Sequence, residues 1–65
     1  GNIPTALNAA NEVAVARFLD RKIKYLDIPD IIEYAMNEVD YINNPTVEQI
    51  LSTQKIVTDM IESRW

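Results

Sequence analysis

The chain has 65 residues, 48% apolar and 25% charged, with ten acids against six bases and a net charge of −4; that is the balance of a single globular domain, and an acidic one repels phosphate backbones, which argues against general nucleic-acid binding. It contains no cysteine and no histidine, which excludes a disulfide and a structural zinc site, leaving helix packing or a larger partner surface to stabilise a chain of this size. No apolar run approaches the roughly 20 residues of a membrane span, no basic-then-apolar leader opens the chain, and the lack of cysteine fits a cytoplasmic location.

The chain starts at Gly1 without an initiator methionine, and the first helical pattern follows almost at once, as expected of a piece of a longer polypeptide. That pattern covers residues 4–21. Pro4 suits a first turn, where no amide hydrogen is needed. Leu7, Ala10, Ala14 and Phe18 fall on one stripe, with Ile3 a turn earlier and Val13 and Val15 widening it. The alanines favour helix and permit close approach of a neighbour. Arg21 and Lys22 follow the last apolar turn, where cations complement the helix dipole.

A second helix is predicted over residues 28–39. Asp27 serves as its N-cap, Asp30 stands three residues on, and Leu26 and Ile31 are placed to form a hydrophobic staple. Ile28, Ile31, Ile32, Ala35 and Val39 make the apolar stripe. Residues 39–45 then read as a loop, closed by the breaker Asn43-Asn44-Pro45. Thr46 and Gln49 form a capping box, T-x-x-Q. Beyond it the apolar face changes: Val47, Ile50 and Leu51 belong to one stripe, and Ile56, Val57, Met60 and Ile61 to another rotated by about 100°. A break near Ser52 separates a short helix, residues 46–51, from a last one, residues 53–64; one bent helix is the alternative. The fold class is therefore all-α, a small bundle of about four helices forming one domain over residues 1–65.

Few residues suggest chemistry. Asn8, Asn11 and Glu12 cluster on the first helix, with Asn11 projected inside the apolar stripe and the other two at its border. A buried asparagine must find partners, since an unsatisfied polar group costs roughly 1–3 kcal/mol. The cluster is expected to tie down a neighbouring connection; a substrate contact or metal-binding carboxylate is the functional alternative, weakened by the absence of histidine and of a second acid nearby. Arg17, Arg21, Lys22 and Lys24 form a basic group that dipole complement and solvation explain, with an anion or partner contact as the alternative. Ser52 and Thr53 have no histidine to activate them. A single glycine leaves no glycine-rich phosphate loop. No residue is assigned as catalytic, cofactor-binding or metal-binding.

The run Pro4-Thr5-Ala6-Leu7-Asn8-Ala9-Ala10-Asn11-Glu12-Val13-Ala14-Val15, followed by Phe18-Leu19, resembles the P-x-A-L-N-A-A-N-E-x-A-V pattern of the 1-deoxy-D-xylulose 5-phosphate reductoisomerase family. Ile23-Lys24-Tyr25-Leu26-Asp27-Ile28 with Ile31-Ile32 is similar to that family's I-x-F-x-D-I segment. Pro45-Thr46-Val47-Glu48-Gln49-Ile50-Leu51 is similar to its final helical stretch, with Gln49 where an acid is common. The likeness covers nearly the whole chain and points to the C-terminal helical domain of a larger α/β enzyme. It implies a cytoplasmic homodimer of non-mevalonate isoprenoid biosynthesis that rearranges 1-deoxy-D-xylulose 5-phosphate and reduces the product with NADPH to 2-C-methyl-D-erythritol 4-phosphate. It also implies a divalent metal, Mg or Mn. In that family the nucleotide, metal and phosphate sites all precede this segment, so the segment binds no cofactor and its expected partner is the remainder of the same polypeptide, with no nucleic acid and no membrane. The other reading is an independent helical protein-interaction module whose likeness is fortuitous.

Overall fold

A computed structural model describes all residues from Gly1 to Trp65. Three helices follow in order: α1, Ile3–Leu19; α2, Asp27–Glu38; and α3, Val47–Glu62. No strand is present. The all-α class stands, with three helices where four were expected, in an elongated body of 35 × 17 × 16 Å. Helix α1 is the centre: it packs along both α2 and α3, which touch each other far less.

The core is small and built largely from alanine. Ala6, Ala9, Ala10 and Ala14 of α1 are buried against Ile31 and Ala35 of α2 and Val57 and Ile61 of α3. Minimal side chains on α1 let both neighbours approach its backbone closely, and the branched residues of α2 and α3 fill the space that remains. Ile28, Ile32 and Val39 pack partly buried around this centre, as the α2 stripe predicts, and Met36, outside that stripe, joins them.

Helix α1 presents a different face from the expected one. Ala10 and Ala14 are buried, but Ile3, Leu7 and Val15 are exposed and Phe18 is half-buried, edge-on to the Tyr25 ring at 5.6 Å. The inward row is Asn2, Ala6, Ala10 and Ala14. A wheel weighted by hydrophobicity is drawn toward the largest apolar residues, whereas close helix packing selects the smallest.

The end of α1 is a Schellman motif. The Lys22 amide donates to the Arg17 carbonyl at 2.9 Å and the Arg21 amide to the Phe18 carbonyl at 2.9 Å. Glycine usually takes the left-handed position in this motif; here Arg21 holds it at φ 60°. Relieving that conformation costs nothing in contacts, so Arg21→Gly is expected to stabilise the domain by about 1 kcal/mol, part of the gain being lost to a looser unfolded chain. Thermal denaturation checks this: the midpoint should rise by a few degrees.

The start of α2 departs from the predicted cap. Asp27 is already helical, makes no N-cap bond and instead accepts from the Lys24 amide at 2.8 Å, fastening the turn before the helix. The staple is absent, because Leu26 is 79% exposed while Ile31 is fully buried. The loop after α2 ends at Asn44-Pro45 as expected, but Asn44 takes the left-handed region, φ 54°, which asparagine tolerates, rather than the extended one usual before proline.

Helix α3 opens with the predicted capping box: Thr46 Oγ1 accepts from the Gln49 amide and Gln49 Oε1 from the Thr46 amide. It then runs without interruption through Ser52. The Thr53 hydroxyl donates to the Gln49 carbonyl one turn back at 2.8 Å, which satisfies a buried polar side chain without breaking the ladder. The change of apolar face is resolved by exposure. Thr53, Val57 and Ile61 face the core, and Val47, Leu51 and Ile56 are left outside. The chain end folds back onto α2, where Trp65 meets Tyr34 edge-on at 5.3 Å and the Arg64 guanidinium lies 4.6 Å from the Tyr34 ring centre.

Candidate functional site

The Asn8, Asn11 and Glu12 cluster lies on the open side of α1. Asn8 Nδ2 donates to Glu12 Oε1 at 3.2 Å, an exposed bond across one helical turn. Asn11 is exposed and makes no side-chain hydrogen bond within the domain; its expected burial is corrected with the face of α1. Asn8 and Glu12 line an open, polar groove between α1 and α3, opposite Gln54, Lys55, Thr58 and Asp59. Lys55 Nζ bonds Asp59 Oδ2 at 2.9 Å. That hydrogen bond first, and the Asp59 charge second, hold the Lys55 ammonium above the ordinary lysine range. Its stabilising effect is fully present below that range and is lost only as pH rises through the raised value. Both side chains are exposed, so the pair adds little.

This groove offers hydrogen-bonding groups: two amides, two carboxylates, one hydroxyl and one ammonium. Nowhere do three acidic, histidine or cysteine side chains converge as a metal would require. The single glycine, Gly1, is packed against Tyr41, where an added Cβ would meet the ring at 2.6 Å; it forms no phosphate-cradling turn. The donor set of this segment therefore fits neither a divalent metal nor a dinucleotide. The basic group is divided as well. Arg17 is half-buried and donates to the Glu62 carbonyl at 3.2 Å near the end of α3, whereas Arg21, Lys22 and Lys24 are exposed.

The polar residue that does lock the fold is Asn2, which no periodicity argument singled out. It is fully buried at the N-cap position of α1 yet makes no cap bond. Its Oδ1 accepts from the Ile42 amide at 2.8 Å. Its Nδ2 donates to the Asp40 carbonyl at 2.8 Å and to Thr53 Oγ1 at 3.2 Å. Its own backbone amide donates to the Ile42 carbonyl at 3.2 Å. One amide thus joins the start of α1 to the α2–α3 loop and to the middle of α3. The direction of each bond is fixed, because Thr53 spends its own hydrogen on Gln49. The available signal was the four-residue spacing Asn2, Ala6, Ala10, Ala14, which places Asn2 on the alanine row.

The DXP reductoisomerase C-terminal domain model matches residues 1–60. The 1-deoxy-D-xylulose 5-phosphate reductoisomerase of Agathobacter rectalis is 58% identical over 65 residues, all of this chain and 17% of the relative. The chain belongs to the DXP reductoisomerase C-terminal domain family. The enzyme of the same name from Lachnoclostridium phytofermentans is 46% identical over 61 residues, 94% of this chain and 16% of that protein. That from Thermoanaerobacter pseudethanolicus is 43% identical over the full chain, again 17% of its own length. The domain thus spans about a sixth of the curated relatives it matches. No solved structure matches it. Family membership along the whole sequence removes the reading of an independent module with a fortuitous likeness. No helix of the domain is long and apolar enough to cross a membrane.

Proposed function

We propose that this domain is the C-terminal supporting segment of a 1-deoxy-D-xylulose 5-phosphate reductoisomerase. That enzyme uses NADPH and a divalent metal, Mg or Mn, to make 2-C-methyl-D-erythritol 4-phosphate in non-mevalonate isoprenoid biosynthesis, as a cytoplasmic homodimer. The observation that carries the reading is 58% identity over every residue of the chain. Within that enzyme the segment contributes packing rather than chemistry: NADPH and the metal are held by the remaining five sixths of the polypeptide, and no residue here touches substrate. The lack of a converging set of three metal-holding side chains in this segment supports this division of labour.

The test uses the full polypeptide that carries this domain. With 1-deoxy-D-xylulose 5-phosphate, NADPH and Mg, it is expected to consume NADPH in step with substrate. The 65-residue chain alone is expected to give no saturable NADPH signal by calorimetry. A full-length protein that leaves NADPH untouched with this substrate overturns the activity; saturable binding by the short chain overturns the division of labour.

A further inference from the structure

We propose that the outer ridge of α1, formed by Ile3, Leu7, Asn11, Val15 and Leu19, is the surface on which the remainder of the same polypeptide docks. The proposal rests on the reductoisomerase reading above and adds to it the residues that make the joint. Residues four apart on a helix form a ridge, the element by which helices interlock. Two such ridges run side by side on α1. The inner one, Asn2, Ala6, Ala10 and Ala14, faces the bundle and carries the small side chains, with half-buried Phe18 at its end. The outer one is exposed along its whole length and carries the large ones, with Leu7 at 47% and Leu19 at 71% exposure. A helix serving this bundle alone would place its large apolar residues inward. An α1 apolar on both sides is built to be covered on both sides.

The ridge also has the chemistry of a permanent joint. Over the seventeen residues from Ile3 to Leu19 it extends roughly 24 Å. It holds no charge, in a chain that is 25% charged; Glu12 and Asp20 lie on the neighbouring row. Ile32 of α2 flanks it, so that Leu7, Asn11 and Ile32 border one shallow groove. At its centre Asn11 presents an amide with no partner inside the domain. The occupant is therefore an apolar surface that offers a hydrogen-bond donor and acceptor to that amide. More than four fifths of each relative lies outside this domain. A tethered surface competes at an effective concentration of roughly millimolar, which favours it over a second copy of the domain.

The experiment labels single cysteines in the full-length enzyme. Leu7→Cys, Asn11→Cys and Val15→Cys report the ridge, and Glu33→Cys, exposed on α2, is the reference. This segment has no native cysteine, so peptide mapping reads each site separately. Maleimide labelling of the three ridge sites is expected to be at least roughly tenfold slower than at the reference in the native enzyme, with the difference gone in denaturant. Equal rates at all four sites overturn the proposal. Protection that disappears on dilution assigns the ridge to a second copy and overturns the occupant. NADPH consumption by the unsubstituted enzyme keeps the two readings apart: an active enzyme with a freely labelled ridge sinks the docking surface alone, whereas a protected ridge in an inactive protein sinks the reductoisomerase reading and supports the joint.

Discussion

Replacing Asn2 by leucine is expected to lower the stability of the domain by roughly 2–4 kcal/mol, although the substitution exchanges a buried polar side chain for an apolar one of similar bulk. The loss comes from the groups left behind. The Ile42 amide and the Asp40 carbonyl would keep their places in the α2–α3 loop without partners, and Thr53 would lose the hydrogen it accepts. Each buried unsatisfied group costs roughly 1–3 kcal/mol, and leucine cannot carry water to them. In a domain of this size the thermal midpoint should fall by roughly 10 °C or more. Asn11→Leu in the isolated chain is the matched control. Asn11 is exposed and bonds nothing within the domain, so the same substitution there should leave the midpoint nearly unchanged. Equal effects at the two positions would show that Asn2 is not the lock.

Ile31→Ala should be at least as damaging. Ile31 is fully buried and is among the largest side chains in a core otherwise dominated by alanine. Truncating it costs the transfer free energy of the lost carbons and the cavity they leave, together about 2–5 kcal/mol. The total stability of a chain of this length is expected at roughly 3–10 kcal/mol. The variant should therefore lose much of its cooperative urea transition, and the alanine rows of α1 leave few neighbours large enough to collapse into the gap. Phe18→Ala is expected to cost less, because Phe18 is half-buried and its specific partner is the exposed Tyr25 ring. A larger effect at Phe18 than at Ile31 would place the core on the wrong side of α1.

What was legible in the sequence follows from which residues left only one solution. In α2, Ile31 and Ala35 with their partly buried flankers lie on a stripe with acids opposite, so periodicity alone fixed the buried face. The Thr46–Gln49 box and the Asn44-Pro45 breaker are local chemistry, and both hold. Helix α1 misled because it is apolar nearly all round: hydrophobicity ranks Leu7 above Ala6, but packing distance decides in favour of alanine. The same error buried Asn11 and overlooked Asn2, whose role depends on a loop some 40 residues away and whose one local trace is its spacing to the alanine row. The break assigned near Ser52 assumed that every apolar residue of α3 must reach the core. Exposed Val47, Leu51 and Ile56 show that it need not. Of the candidate cluster, Asn8 and Glu12 are brought into contact and Asn11 stands apart on the ridge. The reductoisomerase likeness was visible in the run from Pro4 to Val15; the docking ridge was hidden in the same residues, since only burial separates a face that packs inward from one that awaits a partner.

The most direct test of the claim that this domain supports an enzyme without performing its chemistry is the turnover number of the full-length protein carrying Asn8→Ala and Glu12→Ala together. These are the polar groups of α1 that line the α1–α3 groove with an open path to solvent. At saturating substrate and NADPH, kcat is expected to stay within about twofold of the unsubstituted enzyme, with at most a modest fall in the thermal midpoint. A fall in kcat of roughly tenfold or more at an unchanged midpoint would place these side chains in the reaction and contradict the account.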